Sequence, residues 1–316
     1  MGLFGRNKVT AGLDIGSGFV KLVMVDHTRG DPEITKIVTS PLVPDAIVEG
    51  EVMDPVLVAE TIRSVVDAAG LKKKAVVAAV GGHDVIIKKI QMDRMDESEA
   101  RELMRWEAHQ HVPFDMESVQ LDFQILDPDG SEPQMSVLLV AAKRELIENR
   151  LTLLSDAGLD ASIVDVDAFA LHNAFEQSYP DSMTGVVALV NVGHEITNVN
   201  ILDDGVPIVV RDIPFGSRRI RESLQRERGM AADDAEAVIQ GHEDAVDLES
   251  FVTERVDELA VGIERAVAFI TAQAGGEGVD QVFLSGGGAR IPGVVAGLGE
   301  RLGVPTQMAN PLERVA

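Results

Sequence analysis

The chain has 316 residues, of which 45% are hydrophobic and 25% charged, with a formal net charge of −24 and no cysteine. That length suits two lobes better than one core, and the apolar content is enough to fold both. The missing thiols exclude disulfides, thiolate metal sites, iron–sulfur clusters and cysteine nucleophiles, and the acidity disfavours nucleic acid and anionic lipid as partners.

The opening residues Met1 to Lys8 lead into no long apolar run, and no later stretch approaches the ~20 apolar residues that span a bilayer. Gly2 hints at myristoylation, but Arg6 occupies the place where that motif wants Ser or Thr. The expectation is a cytoplasmic protein without direct membrane insertion. From Ala11 an apolar strand runs to a turn at Gly16-Ser17-Gly18, a second strand continues through Lys21 to Asp26, and after a turn at Gly30-Asp31-Pro32 a third runs to Val38. A helix from Met53 to Ala69 carries Val58, Ile62, Val65 and Val66 on one face and stops at Gly70. Strand Ala75 to Val80 then meets the hinge pair Gly81 and Gly82.

Between there and Gly158 the pattern predicts a β-α-β-β-α insert. Its elements are strand Val85 to Ile90, helix Ser98 to Gln110, strand Val119 to Leu126, strand Met135 to Ala141 and helix Glu145 to Ala157. A short helix from Asp165 to Phe175 leads to a second meander: strand Ala188 to Val192, a turn at Gly193, strand Thr197 to Asp203, a turn at Asp204-Gly205, and strand Val206 to Ile213. Residues 226–250 hold one or two surface helices, and a long helix Phe251 to Gln273 ends at Gly275-Gly276. Strand Gln281 to Leu284 runs into Gly286-Gly287-Gly288 and a further helix. The meander therefore occurs twice. This divides the chain into a first lobe of residues 1–81 and 159–178, an insert of 82–158, a second lobe of 179–225 and 274–316, and a smaller subdomain with a connecting helix over 226–273.

Glycine turns let backbone N–H groups converge on an anion where no Cβ intrudes. Gly16 and Gly18 flank Ser17 in such a turn, Asp14 at its mouth is placed to hold Mg²⁺ through water, and Lys21 offers a compact charge to a β or γ phosphate. His109 and His111 stand two apart on a helix and point to different sides, so they form no metal site. Trp106 and Phe114 read either as core or as an exposed anchor for a partner. Asp165 and Asp167 stand at a helix start, where the helix dipole stabilises a carboxylate, with Asp167 the better candidate for a role beyond that. The acidity serves solubility or a basic partner segment.

The three glycine turns in this order resemble those of the actin, Hsp70 and sugar kinase superfamily. Its phosphate 1, connect 1, phosphate 2, connect 2 and adenosine motifs match residues 11–21, 163–175, 188–199, 251–273 and 283–293. The resemblance implies an α/β chain of the actin-like ATPase fold: two RNase H-like lobes with the β-α-β-β-α subdomain inserted. It implies ATP and Mg²⁺ as cofactors and Asp14 and Asp167 as catalytic groups. It implies binding by Gly16, Ser17, Gly18, Phe19, Lys21, Asn191, Gly193, His194, Glu195, Thr197, Gly216, Glu236, Gly286, Gly287, Gly288 and Ile291. Within the superfamily the chain is similar to the FtsA/PilM family, in its PilM branch. The likeness lies in the Gly2-Leu3-Phe4 opening, the Gly12 to Ser17 turn before Val20 to Val23, the helix running into Val112-Pro113-Phe114, and Ala157-Gly158-Leu159 leading to Val164 to Leu171.

That likeness implies a scaffold of the type IV pilus assembly platform, peripheral to the inner membrane. It binds the cytoplasmic tail of a PilN-like membrane protein, meets other platform proteins and is compatible with a homo-oligomer. Val85, Ile87, Trp106 and Phe114 are the candidate peptide-binding residues. The chain departs from the family pattern at Asn191, where the family carries Asp, which implies weak or no hydrolysis. It also departs at Val238-Ile239 after Ala235-Glu236-Ala237, where relatives place a lysine, and at Gly216, which keeps half of a Gly-Gly pair. Relatives continue past the equivalent of Ala316, so a truncated chain is expected. The alternatives are an active ATPase or small-molecule kinase on this fold and an FtsA-like filament protein.

Overall fold

The computed structural model describes residues 9–28, 32–242, 247–274 and 278–315. The opening Gly2-Leu3-Phe4, the turn residues Gly30-Asp31 and the pair Gly275-Gly276 lie outside them. The first lobe begins with strands β1 (Val9–Ile15), β2 (Phe19–Asp26) and β3 (Glu33–Pro41), a small hairpin β4 (Ile47–Val48) and β5 (Glu51–Val52), helix α1 (Pro55–Ala69) and strand β6 (Ala75–Val80). The insert follows with β7 (Val85–Asp93), α2 (Glu97–Ala108), β8 (Val119–Ile125) and β9 (Gln134–Lys143), and the chain returns through α3 (Arg144–Asp156), β10 (Asp160–Val166) and α4 (Asp167–Ser178). The second lobe holds β11 (Val186–Val192), β12 (Thr197–Asp203), β13 (Val206–Ile213), α5 (Ser217–Arg228), α6 (Ala232–Ile239), α7 (Leu248–Thr253), α8 (Asp257–Ala274), β14 (Gln281–Ser285), α9 (Val294–Leu302) and β15 (Thr306–Met308).

Each lobe is built on a five-stranded sheet, in the orders β10-β6-β1-β2-β3 and β13-β12-β11-β14-β15. Counted along each lobe, the two orders are the same, with an antiparallel meander followed by two parallel strands. The repeat seen in the sequence is thus a repeat of topology. In the first lobe the inward residues of the sheet, Leu13, Val20, Leu22, Val76 and Ala78, pack against Val58, Ile62 and Val65 of α1. That helix starts where Asp54 accepts a hydrogen bond from the Leu57 N–H at 3.0 Å with Pro55 in its first turn, and stops at Gly70 with φ 66°.

The insert is a three-stranded sheet, β7-β9-β8, with α2 on one face, buried through Ala100, Met104 and Ala108. The sequence reading needs correction at its last helix. Leu153 and Leu154 of α3 belong to the first-lobe core, and the helix packs on α1 and β10. The insert is therefore β-α-β-β, and α3 brings the chain home. The long helix expected over Phe251 to Gln273 is broken instead into α7 and α8. Arg255 Nη1 donates to the Phe251 carbonyl at 2.9 Å, while Asp257 and Glu258 give the second helix an acidic first turn that its N-terminal dipole favours.

The placement of α3 generates a stability prediction. Leu154→Ala should destabilise the protein by about 2–5 kcal/mol, as expected for a fully buried leucine. Hydrogen exchange should then speed up in α1 and β6 and leave β7–β9 unchanged. Faster exchange confined to the insert would place the helix there after all.

Candidate functional site

The pairing of β1 with β2 sets Asp14 opposite Lys21, and their side chains form an ion pair of 2.6 Å. Both are largely exposed, so the pair contributes only about 0–1 kcal/mol and is readily exchanged for another partner. The turn between them closes through Gly16 N–H to the Phe19 carbonyl at 3.1 Å, while the N–H groups of Ser17 and Gly18 take no backbone acceptor among the described residues.

The second turn has the same construction. Gly193 N–H donates to the Ile196 carbonyl at 3.0 Å, and Asn191 stands opposite Asn198 where the first lobe has Asp14 opposite Lys21. Here the pair is uncharged: Asn191 Nδ2 donates to Asn198 Oδ1 at 3.3 Å, and Asn198 Nδ2 donates to Asp212 Oδ1 at 2.6 Å. The N-terminus of α5 docks beneath this turn, with Ser217 and Arg218 N–H donating to the Gly193 and His194 carbonyls at 3.0 and 2.9 Å. Gly216 must lack a side chain, because a Cβ would fall on the His194 backbone.

The third turn packs on the second. Gly286 is left-handed at φ 85°, and a Cβ there would lie 2.6 Å from Asn191 Oδ1, so glycine is required twice over. Ser285 Oγ donates to Asn191 Oδ1 at 3.4 Å, and Gly287 faces open space. The first turn meets the second through His194, whose ring lies where a Gly18 Cβ would fall, 2.7 Å from His194 Cγ. Burial is the main influence holding the His194 imidazole below its usual pKa, with the Arg221 charge adding to it, so the ring is neutral near pH 7.

The structure therefore brings together Asp14, Gly16, Ser17, Gly18, Lys21, Asn191, Gly193, His194, Gly286, Gly287 and Gly288. Asp167 joins them from the start of α4, pressed against Gly81 at the end of β6. Its side chain is reachable by solvent, yet the surrounding protein desolvates its charge and raises its pKa to about 6. The nearby Arg150 charge opposes that rise, and Asp14, Asp212 and Asp165 add to it. Desolvation thus outweighs the α4 dipole, which favours the ionised form.

Other expected residues are committed elsewhere. Thr197 is buried and its hydroxyl donates to the Phe215 carbonyl at 2.7 Å; Ile291 is 3% exposed in the second-lobe core. Glu195 binds Arg218 at 2.6 Å, and Glu236 binds Arg221 at 3.1 Å and Gln240 at 2.6 Å. Phe19 is half-buried at the base of the first turn. The four peptide candidates do not converge. Val85 and Ile87 alternate with Ile86, Ile90 and Met92, which face α2, so they lie on the opposite face of the sheet. Trp106 stands on the outer side of α2, 78% exposed, and Phe114 packs partly into the insert core beneath the Lys143 ammonium.

The sequence reading missed Arg150, Arg218 and Arg221. Arg150 had a signal: it lies four residues before Leu154, on the stripe that α3 buries. Among the described residues no cluster of three or more His, Asp or Glu could hold a metal directly. No helix among them is long and apolar enough to cross a membrane.

A family model described as Type IV pilus assembly protein PilM matches residues 12–316. Among solved structures, the chain is similar to the PilM-PilN type IV pilus biogenesis complex, with 28% identity, a TM-score of 0.83 and coverage of 99% of this chain and 91% of that one. Ethanolamine utilization protein EutJ from Carboxydothermus hydrogenoformans matches at 15% identity and TM-score 0.59, covering 98% of this chain and 88% of that one. MreB 5 of Spiroplasma citri bound to AMPPNP matches at 11% identity and TM-score 0.55, covering 96% and 92%. The last two show the shared fold, which is the actin-like ATPase fold expected from the sequence.

The Asp167 environment generates a pH prediction. A carboxyl whose folded-state pKa is raised from 3.8 to about 6 binds its proton more tightly in the folded state, so its ionisation destabilises the fold as pH rises through that window. Asp167→Asn should therefore gain thermal stability relative to the parent above pH 6 and lose that advantage towards pH 4. Parallel melting curves across that range for the two proteins would contradict the assignment.

Proposed function

This chain belongs to the family of the type IV pilus assembly protein PilM, and on that premise we propose that it is an ATP-binding scaffold that takes up the tail of a PilN-like membrane protein. The observation that carries the nucleotide half is the meeting of three glycine turns from two lobes, at Gly18 against His194 and Gly286 against Asn191. Backbone N–H groups at Ser17, Gly18 and Gly287 would cradle the phosphates, and Lys21 would leave Asp14 for a phosphate oxygen. The residues suit magnesium in a particular way. With Asp14 exposed at the mouth of the turn and no direct three-carboxylate cage among the described residues, the ion would be held through its own waters and the phosphates. Its chemistry there would be to neutralise phosphate charge.

Hydrolysis is slow in this reading. Asn191 accepts a hydrogen bond from Ser285 and donates one to Asn198, but it brings no charge and is too weak a base to take a proton from water. Asp167, with its raised pKa, is the remaining carboxylate placed to orient a water. The nucleotide then sets the relation between the lobes, and the protein acts by what it binds.

The partner half is supported by the similarity to the PilM-PilN complex over nearly the whole chain. The net charge of −24 suits the basic flank that usually follows a membrane-spanning helix on its cytoplasmic side. The insert is the surface we assign to that tail, and the partner's membrane segment would hold the scaffold at the inner membrane.

Lys21→Ala should weaken ATP binding in calorimetry without unfolding the protein. Asn191→Asp should leave the affinity for a non-hydrolysable analogue intact and raise single-turnover hydrolysis by about a hundredfold or more. Fast turnover by the parent, or no gain in the aspartate variant, would refute the argument from Asn191. On the partner side, a basic tail peptide should bind more weakly as salt rises, because exposed charges are screened over about 8 Å at physiological ionic strength. Salt-independent affinity would assign the binding to apolar contacts.

A further inference from the structure

The second turn is tied to the first lobe by more than the contact of His194 with Gly18. Glu195 Oε1 binds Arg218 Nη1 at 2.6 Å, its Oε2 accepts from the Glu49 N–H at 2.9 Å, and the same Arg218 nitrogen binds Asp45 Oδ1 at 2.8 Å. Glu195 and Arg218 belong to the second lobe, Asp45 and Glu49 to the first. Glu195 is 10% exposed and Arg218 30%, so this pair is far less screened than the exposed pairs elsewhere on the surface. Asp45 and Glu49 are both left-handed, at φ 62° and 51°, a conformation that non-glycine residues keep only where surrounding structure demands it. Between them Ala46 and Ile47 are buried in the first-lobe core, and the Met53 N–H donates to the Ala46 carbonyl at 2.9 Å. The loop is thus rooted, with one carboxylate and one N–H presented to the second lobe.

We propose that Asp45, Glu49, Glu195 and Arg218 form an interlobe clasp that keeps the two phosphate turns shut, with the His194 ring as the plug between them. This deepens the nucleotide reading above and rests on it for its functional consequence. The ring packs against Gly18, 2.7 Å from where a Cβ there would fall, and is itself held by Ser217 Oγ at 3.3 Å. A phosphate gripped by both turns needs the ring to move aside, and the ring moves with a turn that the clasp fixes. Nucleotide affinity is therefore lowered by the fraction of molecules in which the clasp is closed. Releasing the clasp opens the lobes and raises affinity.

The chain has no cysteine of its own, so a single pair of spin labels can report on the lobes without interference. Labels at Glu60→Cys on α1 and Glu300→Cys on α9 would measure the distance between them by pulsed electron resonance, without nucleotide. Asp45→Asn removes the charge but keeps a residue that tolerates the left-handed backbone, and it is the variant least able to disturb folding. Arg218→Ala removes both ion pairs of the clasp, together with the pair that Arg218 Nε makes to Glu222 at 2.8 Å within α5. Each should lengthen or broaden the distance distribution and tighten binding of a fluorescent ATP analogue by about 1.5- to 5-fold, the scale expected for ion pairs of this exposure. An unchanged distribution in both variants, with melting behaviour intact, would overturn the clasp. A changed distribution with unchanged analogue affinity would overturn its role as a gate. If the lobes open in the variants and no form binds the analogue, the clasp stands and the nucleotide reading falls.

Discussion

A Cβ at Gly18, Gly216 or Gly286 would have to enter space already filled by His194, by the backbone at His194 or by Asn191 and Val192. Gly18 lets the two lobes come together at their turns, Gly216 and Gly286 let the second lobe fold its own turn and loop against each other, and most of the functional geometry depends on that approach. The elements behind each turn are ordinary: paired strands whose inward residues are buried and whose ends deliver the chain to a four-residue loop. Because both sheets have the same strand order, the loops emerge at corresponding ends, and the lobes face each other through like features. Side-chain size at a few points then determines how close they come.

The likeness between lobes makes their differences informative. At one cross-strand position the first lobe has Asp14 with Lys21, while the second has Asn191 with Asn198. The first pair is charged, exposed and exchangeable. The second is neutral and tied into a chain of hydrogen bonds reaching Ser285 on one side and Asp212 on the other. The same position carries charge in one lobe and none in the other. A site with one ionised pair and one amide pair is better suited to holding an anion than to moving protons around it.

The repeated meander, the glycine turns and the order of elements are legible in the sequence because they rest on period and on glycine, both local. What is not legible depends on partners brought from a distance. The apolar face of α3 is plain, but nothing local says whether that face meets the insert or α1. Glu195 sits inside a phosphate-turn pattern, yet Arg218 and the Glu49 N–H take both its oxygens. Thr197 follows the pattern as well, and its hydroxyl is used up on Phe215. Trp106 reads as core by residue type, while the buried stripe of α2 runs through Ala100, Met104 and Ala108 and leaves the indole outside. Motif position sets the neighbourhood of a residue, and the tertiary contact decides its work.

Besides the approach of β7 of the insert to β13, the lobes are joined along edges of different chemistry, and the difference gives the joint a direction. On one edge α4 leaves β10 of the first lobe and runs onto the second, where Phe175 and Tyr179 pack on Phe283 with ring centroids 4.6 and 5.4 Å away. Ser178 Oγ donates to the Pro311 carbonyl at 2.8 Å, and Asn200 Nδ2, buried, donates to the Ala168 carbonyl at 3.2 Å. On the other edge stand Asp45, Glu49, Glu195 and Arg218, half in solvent. An apolar contact resists salt and loses free energy steeply as it parts, whereas a partly exposed ion pair gives way at a smaller cost, up to about 1 kcal/mol. In the proposed opening, separation would begin at the ionic edge and turn about α4. Asp167, as the first residue of that helix, would lie beside the pivot and keep its place near Asp14 while His194 and its turn swing away.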